Sequence, residues 1–479
     1  MKLVVLAAGK GERFYPFSLT RPKPMMQVLS KPILEWVLRR AKEAGFDEAI
    51  IVVGPLGSRI KAYLKDGRRL GMRIEYVEQS RPLGTADAVI KAFEKVKDDV
   101  LIVYGDLLLE RGEILGKVKE EMQKEELVVA TVEVKDYGRY PAAIVKDGYV
   151  EKLMYQPRPW EFAANRAMIG IIGMRRRIIE EYLDITPPLI ENTPVGIAPP
   201  HEKDLFETIY IAHRDGVKVR SVDVKHGWYD VDKPWDPLIA SYLMAEWEAK
   251  KIKESQISSA ARIEEGVKMK GVVIVEDDVV IKDGTVIKGP VWIGRETTVN
   301  EYSYIIGPVS TGERCVIGPF SRLWGAFLGR EVRVEHCADV CGAVVLDSTF
   351  IVHWSHVSGV IGERCDFGAG TICGTLRFDD KEVQVMVRGR LESTGLRGFG
   401  VIMGDYSRTG VGVLIHPGRI IGPYSMVGPG VVVRENIKPF TAVLLKEQKL
   451  ETRPWGPEIY EGTRGWLDER IKDYEKYFS

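Results

Sequence analysis

Over the first 240 residues, short apolar runs alternate with amphipathic helical periods. Residues 3–6 (Leu-Val-Val-Leu) are too short for a helix and run into a Gly-rich stretch, so they predict a buried strand. Residues 33–44 carry apolar positions at helical spacing and predict an amphipathic helix. Runs at 49–53, 74–77 and 100–104 predict three further strands, and 85–96 a second helix. Strands spaced by helices predict a largely parallel, doubly wound α/β sheet with right-handed crossovers. Such sheets bind ligands beyond the carboxyl ends of their strands. The glycines at 9 and 11 and the pair Gly105-Asp106 both fall at such ends. Residues 241–256 have helical composition and predict a connecting helix.

The period then becomes six. Ile263, Met269, Val275, Ile281, Ile287, Ile293, Val299 and Ile305 follow one another at that spacing. The register resumes at Met403 and continues through Thr409, Ile415, Ile421, Val427 and Val433. Four residues after many of these positions comes a small or β-branched residue, such as Val273, Thr285, Thr297, Ser303 or Cys315. A period of six fits neither a helix nor a simple sheet. It predicts a parallel β-helix, in which each hexad makes one side of a triangular coil. Residues 375–400 break the register and carry Arg377, Lys381, Arg388, Arg390 and Arg397. This excursion reads equally as a solvated hairpin or as an anion-binding loop at a coil edge. The boundaries expected are an α/β domain at 1–240, a linker helix at 241–257, a β-helix at 258–445 and a helical tail at 446–479.

Composition narrows the function classes. Lys plus Arg and Asp plus Glu both number 68, so the net charge is zero. This argues against a strongly basic nucleic-acid binder and against an acidic disordered chain. No apolar run reaches the ~18 residues of a membrane span. The six-residue apolar core at the start runs into Gly-Lys-Gly-Glu-Arg and reads as a strand, not a signal peptide, which predicts a cytoplasmic protein. Asn and Gln total only four and seven beside abundant charge, a composition that leans towards a thermophile. All five cysteines lie after residue 300 without a Cys-x-x-Cys spacing, so a disulfide framework is not expected. Cys315 and Cys365 occupy the small position of two similar hexads, where packing explains them.

Candidate chemistry clusters in the first half. Leu6-Ala7-Ala8-Gly9-Lys10-Gly11 ends the first strand, and its glycines let backbone N–H groups cradle anionic oxygens. Arg13 adds a fixed guanidinium fork. Lys23 stands between Pro22 and Pro24, which restrict the loop and aim the lysine. Together these suit a triphosphate. Gln79 presents a donor and an acceptor that match a pyrimidine edge, Gly84 allows a base close to the backbone, and Thr85 is placed to cap the helix at 85–96. Asp106 is a natural Mg²⁺ ligand at a strand end, and Gly227-Trp228-Tyr229-Asp230-Val231-Asp232 is the best source of a second carboxylate.

These motifs, in this order and at these separations, resemble the sugar-1-phosphate nucleotidylyltransferases over residues 1 to about 245. With a hexapeptide β-helix behind them, the chain is similar to the bifunctional N-acetylglucosamine-1-phosphate uridylyltransferases/glucosamine-1-phosphate acetyltransferases, most of all to archaeal sugar nucleotidylyltransferases of the same domain order. The resemblance implies a Rossmann-like nucleotidyltransferase domain and a left-handed β-helix, and because such solenoids commonly pack side by side, a homotrimer or larger homo-oligomer through the β-helix is expected. It implies that Gly11, Arg13 and Lys23 hold the triphosphate of UTP or dTTP, and that Gln79 and Gly84 read the base. Asp106 and Asp230 would carry Mg²⁺, and Gly138, Glu151 and Lys152 would bind the sugar phosphate. The chain also departs from the pattern. Met168 stands where the family has a pocket Asn, with Asn165 three residues earlier, and Tyr104 before Gly105-Asp106 is like the uridylyltransferases that use N-acetylglucosamine-1-phosphate. Phe367-Gly368-Ala369-Gly370-Thr371-Ile372 resembles the stretch at the acetyltransferase site. There His353 matches, His356 replaces a Tyr and Thr375 an Asn. Acetyl transfer from acetyl-CoA, with His353 as base, is therefore a second activity to test. A non-catalytic regulatory subunit of the same fold is the third reading, and the presence of Arg13, Lys23, Asp106 and Asp230 speaks against it.

Overall fold

The computed structural model describes residues 1–134, 140–154, 164–187 and 202–446. Gly138 and the expected helical tail from 447 onward lie outside the described residues. Residues Met1–Leu444 form one compact unit.

The first strands follow the apolar runs closely. Lys2–Ala7, Glu48–Val53, Arg73–Glu78 and Val100–Tyr104 are parallel neighbours, in the spatial order 73–78, 48–53, 2–7, 100–104. The order reverses beside Lys2–Ala7, which creates the crevice where doubly wound sheets bind ligands. The sheet continues beyond Val100–Tyr104 through Arg166–Met174, Leu127–Val132, Val219–Asp223, Tyr149–Met154 and Ala142–Lys146. Arg166–Met174 runs antiparallel to both of its long neighbours, so this half is mixed. Helix Ile33–Glu43 turns Ile33, Leu34, Val37 and Leu38 into the core, with at most 2% of each exposed. Thr85–Val96 forms the second expected helix. Among the described residues, no helix is long and apolar enough to cross a membrane.

The expected connecting helix is found at Asp236–Ala249, shifted towards the N-terminus. It packs with the core: Leu238, Ala240, Met244, Ala245 and Trp247 are buried. Tyr242 leaves this helix to meet Phe327 of the β-helix edge-on, ring centroids 5.3 Å apart.

The β-helix explains the period of six and its interruption. Val275 pairs with Ile293, Ile281 with Val299 and Ile287 with Ile305, each parallel and 18 residues apart, so three hexads close one coil. Ile317 pairs with Val334 and Val340 with Val357, 17 apart, and Ile351 pairs with Phe367, 16 apart. One or two residues lost per coil push the sequence out of the hexad register while the stack continues. Thr409 pairs with Val427 at 18 again, where the register resumes. The inward aliphatics form one buried column, and the thiols of Cys315 and Cys365 sit inside it, donating to the carbonyls of Gly329 (3.0 Å) and Gly404 (3.2 Å). Burial pushes the Cys315 thiol up to about 12, so it is a packing group and not a nucleophile.

The excursion after Thr375 is a hairpin, one of the two forms expected, but it is solvated on one face only. Its strands Gln384–Val387 and Arg390–Ser393 make a hairpin. Val383, Val385 and Val387 are buried in the same core cluster as the α/β domain. The hairpin folds back onto the α/β domain, and alternation at 383, 385 and 387 supplies the apolar face that does so.

Candidate active site

The site forms where two strand ends meet. Gly105 donates its N–H to the Leu6 carbonyl at 2.9 Å, which sets Asp106 beside the loop that follows Ala7 and Ala8. Strand Trp228–Asp230 pairs antiparallel with Leu107–Leu109, and Asp230 lies opposite Leu107. Asp230 thereby comes next to Asp106 although 124 residues separate them. In the Gly-rich loop Gly11 has φ +63°, and a Cβ on Gly9 would meet nothing within 4 Å, so that face is open to a ligand.

Lys23 is the hub. Its Nζ lies 2.7 Å from Asp106 Oδ2 and 3.5 Å from Asp232 Oδ1. Arg13, half-exposed, reaches Asp232 Oδ2 at 3.0 Å. Burial pulls the Lys23 ammonium down, but Asp106, Asp230 and Asp232 more than reverse it and hold Lys23 above the ordinary lysine range. Asp230 shows the opposite strain. Burial raises its carboxyl, Lys23 opposes the rise, and Asp106 and Asp232 add to it, for a value of about 7. Three carboxylates, Asp106, Asp230 and Asp232, thus meet Lys23, Arg13 and Lys233, and the groups turned towards Lys23 are all carboxylate oxygens. That is a fit for a hard divalent cation held by one or two carboxylates and completed by phosphate oxygens. Asp236 fixes the segment: Oδ2 accepts from the N–H groups of Asp232 and Lys233, each at 2.7 Å, and Oδ1 from the Tyr229 hydroxyl at 3.2 Å.

Arg13, Lys23, Asp106 and Asp230 all line one cavity of about 950 Å³. Its further walls include Tyr104, Met168, Gly170 and Trp228. Thr85 also lines it, whereas Gln79 and Gly84 do not. The Gln79 amide is buried, with Nε2 donating to the Gly84 carbonyl at 3.0 Å and to Asp87 Oδ2 at 2.7 Å. Gly84 has φ +100°, and a Cβ there would stand 2.1 Å from the Lys203 carbonyl. Its glycine is required by the chain itself. Thr85 is the first helical residue and does not cap its own helix. Its hydroxyl instead accepts from the Leu205 N–H at 2.9 Å and donates to Asp204 Oδ1 at 3.3 Å. Glu151 and Lys152 are exposed on Tyr149–Met154 and do not line the cavity. Asn165 is spent on backbone, exchanging hydrogen bonds with the N–H (2.9 Å) and carbonyl (3.0 Å) of Val145. Two contributors escaped the sequence reading, Lys233 and Glu392, which meet at 2.7 Å.

The second candidate group lies on the β-helix. His353 stacks on His336 with centroids 4.8 Å apart. His356 Nδ1 is 3.1 Å from Asp339 Oδ2, its Nε2 is 3.7 Å from Cys341 Sγ, and Arg322 braces Asp339 at 2.6 and 2.8 Å. Thr375 instead closes the base of the excursion, its carbonyl accepting from the Phe399 N–H at 2.9 Å. The hydrogen bond to Asp339, then that with Cys341, raises His356 to about 9. Burial works to raise Asp339, but His356 and Arg322 overcome it and bring it to about 2. The raised His stabilises the fold fully below its ordinary 6.5 and loses that as pH rises through about 9. The depressed Asp contributes above its ordinary 3.8 and loses that as pH falls through about 2. The stability difference between the protein and His356→Gln, read by urea unfolding, should therefore be larger at pH 5–6 than at pH 9.5. A difference that does not change with pH would contradict the pairing.

Residues 2–171 match the nucleotidyl transferase family model. The bifunctional protein GlmU of Methanocaldococcus jannaschii is 33% identical over 420 residues, covering 87% of this chain and 91% of that protein. The chain belongs to the GlmU family. A Methanococcus maripaludis GlmU is 34% identical over 457 residues, covering 95% of this chain and 99% of that one. The bifunctional sugar-1-phosphate nucleotidylyltransferase/acetyltransferase of Sulfurisphaera tokodaii is 31% identical over 420 residues, 87% of this chain and 93% of that protein. The GlmU-family architecture, a nucleotidyltransferase domain followed by a parallel β-helix, is the one described above.

Proposed function

We propose that the chain transfers a nucleotidyl group from UTP or dTTP to a sugar-1-phosphate and releases pyrophosphate. The observation that carries this reading is Lys23 held between Asp106 and Asp232, with Asp230 beside them, at the mouth of a Gly-rich loop. The Gly9 and Gly11 backbone, Arg13 and Lys23 bind the triphosphate, and the Gln79 carbonyl oxygen takes a donor on the base. Asp106 and Asp230 would hold Mg²⁺, which when bound supplies charge neutralisation on the phosphates. A phosphate oxygen of the sugar-1-phosphate attacks the α-phosphorus in line as the bond to pyrophosphate breaks. No covalent enzyme intermediate is required, so catalysis is positioning plus neutralisation of charge by Arg13 and Lys23. Gly138, Glu151 and Lys152 are the residues that family resemblance assigns to the sugar phosphate. Pyrophosphate release from UTP, dTTP, ATP and GTP, each with a panel of sugar-1-phosphates, tests the reading. Turnover is expected with UTP or dTTP, and no turnover with any pair would favour a regulatory subunit.

The names of the relatives support a second activity, acetyl transfer from acetyl-CoA to an amino-sugar-1-phosphate. His353 is the candidate base, because its ring carries no carboxylate partner among the described residues while His356 is committed to Asp339. Glucosamine-1-phosphate with acetyl-CoA should release free CoA in the wild type, and none would end this reading.

A further inference from the structure

One wall of the nucleotidyl-transfer cavity comes from the other half of the chain. The hairpin that leaves the β-helix brings Glu392 through Gly395 into the lining. It is fixed at several points. Val383, Val385 and Val387 are buried against the enzyme core, and Arg388 pairs with Glu12, next to Arg13 in the Gly-rich loop, at 3.2 Å. Glu392 Oε2 is 2.7 Å from Lys233 Nζ, and Lys233, with 7% of its side chain exposed, is 4.0 Å from Asp232.

Another wall offers a sugar little. Met168, Ile169 and Ile172 of Arg166–Met174 are apolar, and Pro141, Phe206 and Ile209 extend that surface. Asp106, Asp230, Lys23 and Arg13 belong to the phosphate end. Elsewhere in the lining Thr85 bonds to Asp204 and Tyr229 to Asp236. A sugar hydroxyl that ends against the apolar wall or the hairpin is left unpaired unless an acceptor waits for it there, and burying unpaired hydroxyls is costly. On the hairpin, the Ser393 hydroxyl is spent on Glu382 and the Thr394 hydroxyl on the Val383 carbonyl. Glu392 is different: about a third of its side chain is exposed, one oxygen is anchored by Lys233, and the other is available to the cavity.

We propose that Glu392 is a specificity-determining residue of nucleotidyl transfer, accepting a hydrogen bond from a hydroxyl of the sugar ring while Lys233 holds it in place. The inference rests on the nucleotidyl-transfer reading above and goes beyond it, because it makes the β-helix part of the sugar site. The ligand class is a pyranose-1-phosphate with a free hydroxyl remote from the phosphate.

The test uses the full chain and the most active substrate pair of the wild type. Initial rates of pyrophosphate release are measured with each substrate varied in turn, for the wild type, Glu392→Ala and Glu392→Gln. Glu392→Ala should raise the KM for the sugar-1-phosphate about tenfold or more while the KM for the nucleotide changes less than about twofold. Glu392→Gln keeps an acceptor oxygen and should recover most of that loss. A deoxy sugar-1-phosphate lacking the contacted hydroxyl should be used equally well by all three. If Glu392→Ala leaves both KM values unchanged in an active enzyme, the inference is wrong. It is equally wrong if both rise together with a fall in Tm, which would make Glu392 only a clasp between the halves. A wild type inactive on every pair would overturn the underlying reading, and this inference with it.

Discussion

Asp106→Ala and Asp230→Ala should each abolish nucleotidyl transfer, with losses on the order of a thousandfold in kcat/KM. The two residues stand on paired segments, Asp230 opposite Leu107, so that neither can replace the other from its own position. A divalent ion at a transferring phosphate is worth several kcal/mol, and each ~1.4 kcal/mol is a factor of ten. Removing either carboxylate also releases Lys23. The ammonium is now balanced by Asp106, Asp230 and Asp232, and its high pKa depends on them. Asp230→Ala should fold, because burial and the acidic neighbours Asp106 and Asp232 raise the Asp230 carboxyl and make its charged form costly where it stands. Asp230→Ala with unchanged or raised Tm and no turnover is therefore the expected pair of results. Retention of more than about a tenth of the activity by Asp230→Ala would place the metal elsewhere. Asp230→Asn separates two roles, since it keeps shape and one acceptor oxygen while removing charge. It should be nearly as inactive as the alanine if charge is what the metal needs.

The sequence carried some parts of this site and not others, for physical reasons. Val100–Tyr104 and Thr85–Val96 were legible to the residue, because each is set by a local run or period with a clear stop. Lys23 and Asp106 were legible because each sits where chain geometry leaves little choice, between prolines or at a strand end, whereas residues 227–232 offered two carboxylates and only the family resemblance singled out Asp230. The antiparallel insertion of Arg166–Met174 was not, since strand direction is decided by pairing and leaves no mark on alternation. The hydroxyl of Thr85 was read as a cap for its own helix, yet it serves Leu205, a partner 120 residues away. The excursion at 375–400 had the same problem in stronger form. Its five basic residues drew the eye to charge, while its function in the fold lies in three valines and a glutamate whose partners are in the other domain.

Arg21→Met should be the most destabilising change at a charged residue, by about 3–5 kcal/mol. Arg21 and Asp405 are 384 residues apart and meet at 2.7 Å, with 5% and 0% of their side chains exposed. Arg21 also reaches Glu363 at 3.1 Å, and Arg59 joins Glu363 at 2.7 Å. Asp405 further accepts from the Thr20 hydroxyl at 2.5 Å and the Glu363 N–H at 2.9 Å. Losing the guanidinium strands the Asp405 carboxylate in a place water does not reach, beside a second carboxylate. Burial lowers the charged form of Arg21 most, and only the attraction of Asp405 and then Glu363 keeps its pKa raised, so the pair stands or falls together. Replacing both partners, Arg21→Met with Asp405→Leu, should therefore cost much less than Arg21→Met alone. Equilibrium denaturation of the two variants decides it, and a single-variant cost below about 1 kcal/mol would show that the charges are not needed there. Activity gives a second readout. Arg21 is followed directly by Pro22, Lys23 and Pro24, and Gln27 and Ser30 of the same segment bond to Asp347 and Ser310 of the β-helix. The loop that aims Lys23 at Asp106 is thus laid along the coils of the second half. Arg21→Met should lower kcat even at temperatures where the protein remains folded, because the lysine loses the anchor that the β-helix provides.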